Sequence, residues 1–116
     1  MKRFAAVVVT MAVVVAAFGI PVRRASADDA GKKLFNAQCS TCHGVDGRGQ
    51  TTAGKRAGVK DWTTGTTLSA LSDADIQKMV RDGRKDASGK ETMPAVKTLS
   101  DDQMNALVAY VRSFQK

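Results

Sequence analysis

Histidine occurs once in this chain, as His43, and cysteine twice, as Cys39 and Cys42. A structural zinc site wants four protein ligands, which two cysteines and one histidine do not supply. A metal held by two imidazoles of the same chain is excluded as well. Proline is confined to Pro21 and Pro94, and the aromatic set is four Phe, one Trp and one Tyr. So few aromatics do not make a base-stacking surface for nucleic acid. No stretch alternates apolar and polar residues over a strand's length, so neither a half-buried sheet nor the βαβ setting of a thioredoxin-like cysteine pair is expected.

What is present is concentrated in Cys39-Ser40-Thr41-Cys42-His43. Two thiols three positions apart, with a histidine directly after the second, form the attachment signature of a c-type haem. The spacing follows from the chemistry. Each thiol can add across one vinyl group of the macrocycle, which fixes it to a single turn of backbone. His43 then emerges beside the second anchor, placed to bring a ring nitrogen under the iron.

Met1-Lys2-Arg3 is a short basic start, Phe4 to Ile20 is apolar apart from Thr10 and Gly19, and Ala25-Ser26-Ala27 is a small-residue cleavage site. Residues 1–27 therefore read as a secretory signal peptide cleaved after Ala27. An uncleaved N-terminal anchor is the alternative, because the apolar run is long and Arg23 and Arg24 follow it. The formal net charge of +7 shrinks with the leader. Lys2, Arg3, Arg23 and Arg24 leave with no acid, so 14 basic residues face 11 acidic ones and the remainder carries +3. Nucleic-acid binding is not implied by that balance.

Residues 28–116 suffice for one domain, small enough to need help from a large apolar cofactor. The expected class is all-α. A first helix is predicted over about 29–38, leading into the attachment turn. Residues 44–60 hold five glycines and read as loop. Ser72 caps a helix carrying Ile76, Met79 and Val80, with Asp75 in its first turn, ending near Gly83. Ser100-Asp101-Asp102-Gln103 is a capping box, followed by Met104, Leu107, Val108 and Val111 at helical spacing. Gly49 to Lys55 has phosphate-loop spacing, but Arg56 stands where Ser or Thr is required and no strand precedes it.

These features resemble the small class I c-type cytochromes, especially monohaem bacterial carriers of the cytochrome c6 and c553 kind. Gly31 and Phe35 lie eight and four residues before Cys39, where the family packs its first helix against its last, and Leu107 and Tyr110 stand in the matching places. Thr92-Met93-Pro94-Ala95 followed by Leu99-Ser100-Asp101-Asp102 looks like the family's axial-methionine loop running into its C-terminal helix. The resemblance implies three to four short helices around one covalent haem c, with N- and C-terminal helices in contact and attachment outside the cytoplasm.

Of the methionines beyond the leader, Met79 and Met104 fall on apolar helix faces, where packing is the usual role. Met93 lies outside the predicted helices and precedes Pro94, which restrains the backbone. The expected metal ligands are thus His43 and Met93, with Cys39 and Cys42 as covalent anchors. His43 should donate its other ring hydrogen to a carbonyl. Many relatives use one beside a proline after the motif, and this chain has no proline there. Trp62 stands either to bond a propionate or to pack at the haem edge; packing is expected, since its position does not match the tryptophan of many relatives. Arg84, Lys85, Lys90 and Lys97 form either a docking rim for an acidic redox partner or a solvated face whose field Asp82, Asp86 and Glu91 cancel.

The functional expectation is an extracytoplasmic, periplasmic one-electron carrier cycling iron between Fe(II) and Fe(III), meeting redox partner proteins transiently. No enzyme activity of its own, nucleic-acid partner or stable membrane insertion of residues 28–116 is expected. Alternatives are an electron-transfer subunit of a larger oxidoreductase and an open-site haem sensor or peroxidase.

Overall fold

The computed structural model describes Gly19 and residues 26–115. Apart from Gly19, Ser26 and the backbone of Ala27, the proposed leader lies outside the described residues. Among these, the chain forms five helices and one short two-stranded ladder: α1 (Ala27–Gln38), α2 (Ser40–His43), α3 (Thr52–Ala57), α4 (Asp73–Asp82), β1 (Arg84–Lys85), β2 (Glu91–Met93) and α5 (Asp101–Arg112). Both termini of the fold are helical, as the patterning implies. The Ser26 side chain caps α1 by accepting the Asp29 N–H at 3.3 Å.

Packing of α1 against α5 is the frame on which the rest is hung. It is permitted by Gly31. A Cβ built there would overlap the Ala106 carbonyl oxygen and lie 2.9 Å from the Tyr110 Cβ, so the two backbones meet where a side chain is missing. One turn further along, Phe35 is fully buried, with ring centroids of Tyr110 and Phe114 at 5.4 and 5.2 Å. Tilted aromatic contacts of this kind add to the burial of each ring. Met104, Leu107, Val108 and Val111 complete the α5 face, and Ile76 and Val80 bring α4 onto the same core.

One expectation needs correction. Residues 44–60 are not all loop, because α3 lies within them. Thr51 caps it, accepting the Gly54 N–H at 2.8 Å, and Gly58 ends it in the left-handed region at φ 68°. Glycine here marks the helix end and a close approach, not the absence of a helix. The all-α class holds, with one short antiparallel ladder added in which Arg84 faces Met93 and Lys85 faces Glu91, with a bulge between them. Its turn is built by the Asp86 carboxylate, which accepts from the Ser88 N–H (2.9 Å), the Ser88 hydroxyl (2.6 Å) and the Lys90 N–H (3.0 Å). Two and three residues, mostly exposed, are too short to carry an alternating pattern.

Candidate haem site

The attachment motif forms its own turn of helix. Cys39 joins α1 to α2: its N–H donates to the Phe35 carbonyl at 2.8 Å, and its carbonyl accepts the His43 N–H at 3.0 Å. A four-residue helix leaves its last carbonyls open, and the segment leading into α3 closes them. The Thr51 hydroxyl donates to the Thr41 carbonyl at 2.7 Å and lies 3.2 Å from that of Cys42, while the Gly49 N–H donates to the His43 carbonyl at 2.8 Å. Gly54 makes this possible, since a Cβ there would collide with the Cys42 carbonyl. The glycine-rich stretch is therefore the clamp that sets the direction of Cys42 and His43.

All four predicted site residues, Cys39, Cys42, His43 and Met93, line one cleft of about 670 Å³. That is the size range of cofactor pockets, about 300–1,000 Å³. Both cysteines are free thiols, half-buried. Burial, and secondarily the neighbouring Cys42, push the Cys39 thiol up to about 11, so it stays protonated at neutral pH. Burial pushes His43 down to about 4, leaving a neutral imidazole with a lone pair to offer. Its ring stacks on Trp62, centroids 4.1 Å apart and planes 23° from parallel. Trp62 also approaches Phe35 at 6.2 Å, so the imidazole is oriented by an aromatic wall that ends in the main core.

His43 Nδ1 is buried without a hydrogen-bond partner. The carbonyl expected for the second ring nitrogen is thus not supplied to Nδ1, and stacking on Trp62 does the orienting instead. An unpartnered buried polar atom is costly. Together with a neutral imidazole, two free thiols on one turn of backbone and an apolar cleft, it fits these residues to a covalent haem. Among the described residues no group of three or more His, Cys, Asp or Glu is placed to hold a bare metal ion.

Met93 comes from the end of β2, half-buried against the core. Met104 is 1% exposed in the core, whereas Met79, on α4, lines the cleft as well. Leu68, Ile76, Val80, Leu107 and Val111 supply the apolar walls. Arg84 and Lys85 stand at the cleft beside Asp86, while Lys90 and Lys97 are exposed away from it. Sequence reasoning missed two supports. Arg112 donates to the carbonyls of Leu68 and Leu71, both at 2.5 Å, and to Asp73 at 2.9 Å, and so fixes one wall. The Val96 N–H donates to the Val80 carbonyl at 2.8 Å, tying the segment after Met93 to α4. Neither leaves a local signal, because donor and acceptor are far apart in the chain.

Comparison with known proteins agrees with this geometry. The family model described as Cytochrome c matches residues 29–115. The chain is 31% identical over 86 residues to cytochrome c-554(547) of Halothiobacillus neapolitanus, covering 74% of this chain and 94% of that protein. It is 29% identical to the Cbb3-type cytochrome c oxidase subunit CcoP of Azospirillum brasilense, spanning 77% of this chain but only 29% of that longer subunit. Among solved structures, the KustC0563 c-type cytochrome superposes with a TM-score of 0.61 at 32% identity, covering 74% of this chain and 98% of that one. A chain of the Kuenenia stuttgartiensis reducing HAO-like protein complex Kustc0457/Kustc0458 gives a TM-score of 0.62 at 29% identity, with 84% and 48% covered. With the cysteine pair, the cleft and the α1–α5 frame all in place, the chain belongs to the cytochrome c family, whose haem c is attached covalently through a cysteine pair, here Cys39 and Cys42.

Proposed function

We propose that this cytochrome is a free, extracytoplasmic one-electron carrier, not an enzyme in its own right, with His43 and Met93 as axial ligands. The observation that carries the reading is the convergence of Cys39, Cys42, His43 and Met93 on one apolar cleft. When bound, the haem supplies the Fe(II)/Fe(III) couple. The chain's own residues would hold the group: Trp62 orients a neutral imidazole at His43, and β2 brings the Met93 thioether to the same cleft. A soft, neutral thioether favours the ferrous state, and His/Met pairs raise the reduction potential. Leu68, Ile76 and Leu107 give that environment apolar walls. Electron exchange then takes place with redox partner proteins that dock transiently, and the leader expected over residues 1–27 would deliver the chain to the periplasm.

A permanent place in a larger oxidoreductase is the second reading, favoured by the names of two relatives, an oxidase subunit and a protein complex. A subunit interface is apolar at its centre. Among the described residues Val45, at 70% exposure, is the one large hydrophobic side chain standing open, which favours the free carrier.

The ligation is tested by the ferric spectrum of the matured protein. Met93→Ala is expected to abolish the weak near-infrared sulfur-to-iron band and convert low-spin to high-spin iron, while Met79→Leu keeps both. Loss of the band in Met79→Leu instead would move the ligand to α4. A spectrum indifferent to both changes would mean an open iron and return the sensor or peroxidase reading.

A further inference from the structure

The end of α4 and the segment that carries Met93 meet closely at backbone atoms. Gly83 follows the last residue of α4 with φ 69° and ψ −169°, a conformation that side chains rarely adopt, and its N–H donates to the Met79 carbonyl at 2.8 Å. A Cβ placed on it would overlap the Met93 carbonyl oxygen and sit 2.8 Å from the Ala95 nitrogen and 3.1 Å from the Pro94 carbonyl carbon. None of these atoms can turn away as a side chain could. One step further, the Val96 N–H donates to the Val80 carbonyl at 2.8 Å. Four consecutive residues, 93–96, are therefore seated on the last turn of α4.

We infer that Gly83 is a positioning residue for the axial methionine, an inference that rests on the proposed ligation by Met93. Its missing side chain lets residues 93–95 lie flush on α4, and that seating sets how firmly the thioether is presented to the cleft. The helix cannot retreat to make room, because Ile76 and Val80 are 6% and 5% exposed in the core. An added methyl group therefore displaces the Met93 segment. Gly89 is the natural control. It lies in the turn joining β1 to β2 and has φ 84°, but nothing stands within 4 Å of a Cβ built there.

The experiment compares Gly83→Ala and Gly89→Ala with the unaltered holoprotein, by near-infrared band intensity, midpoint potential and imidazole titration of the ferric form. Imidazole competes for the fraction of molecules whose methionine has left the iron, so its apparent affinity reports that fraction. Gly83→Ala is expected to weaken the band, lower the potential and tighten imidazole binding about tenfold, whereas Gly89→Ala changes it less than about twofold. Equal effects of the two variants would reduce Gly83 to a backbone-strain position and overturn the inference. An unaltered band in Gly83→Ala, where Met93→Ala loses it, overturns the positioning role alone. If Met93→Ala also leaves the band unaltered, ligation and positioning fail together. Should Gly83→Ala not fold, amide exchange of Val96 in the unaltered protein decides. Imidazole binding should strip its protection if the seating is coupled to ligation, and unchanged protection would refute the coupling.

Discussion

Arg112 shows what a single residue contributes beyond its charge. Its guanidinium is planar and holds five N–H donors in a fixed fork, of which its three nitrogens here spend one each on the carbonyls of Leu68 and Leu71 and on Asp73. Its side chain is 26% exposed, so water substitutes poorly for the lost bonds. Arg112→Met is expected to lower the unfolding free energy of the holoprotein by about 2 kcal/mol, the usual scale for hydrogen bonds to a charged group. Arg112→Lys should recover only part of that, since one ammonium cannot reach both carbonyls. Guanidinium denaturation of the three proteins checks this, and full recovery by lysine would show that only the charge matters. The residue also marks the limit of sequence reading at this scale. Cys39, Cys42 and His43 announce themselves because their chemistry requires a fixed local spacing. The acceptors of Arg112 lie 39 to 44 positions away, so nothing in its neighbourhood distinguishes it from an ordinary helix-end cation.

Among the elements, α4 and α5 open with the same device built from different chemistry. Both helices have closed capping boxes, Ser72 with Asp75 and Ser100 with Gln103. Asp75 accepts the Ser72 N–H at 2.9 Å, and this bond, followed by a hydrogen bond from the Ser72 side chain, holds its carboxyl below the usual range. A carboxyl with a lowered folded pKa contributes stability that is complete above its unfolded value, about 4, and is lost as pH falls through the folded value. Gln103 has no proton to gain. Acidification should therefore fray the first turn of α4 before that of α5, and Asp75→Asn should remove the difference. Site-resolved amide exchange through the acid range measures it; equal loosening of both first turns would contradict the argument. These helices were legible because caps and apolar spacing are local signals. The ladder of β1 and β2 and the helix α3 were not. Their positions are fixed by what they touch, Gly83 against Met93 and Gly54 against Cys42, and a glycine chosen for close approach looks in sequence like a loop glycine.

At the scale of the molecule, the core and the cleft are one structure. Leu68, Ile76, Val80, Leu107 and Val111 are buried in the core and also form the walls of the 670 Å³ cleft, so the inner surface of the protein is the outer surface of the cofactor's site. Without the haem those five side chains lose their apolar partner and face solvent, and a domain held together by about 5–15 kcal/mol has little to spare for that. A chain of this size has less reserve still. Cys39→Ser combined with Cys42→Ser, which removes both attachment points, is therefore expected to leave a collapsed chain with no cooperative unfolding transition. Near-ultraviolet circular dichroism from Trp62 and Tyr110 should vanish. Some far-ultraviolet helix signal should survive, because the contact of α1 with α5 through Gly31 and Phe35 is made without the cleft. A sharp thermal transition in the double variant, at the midpoint of the holoprotein, would show that the polypeptide core is sufficient and that the haem is a passenger in a finished fold.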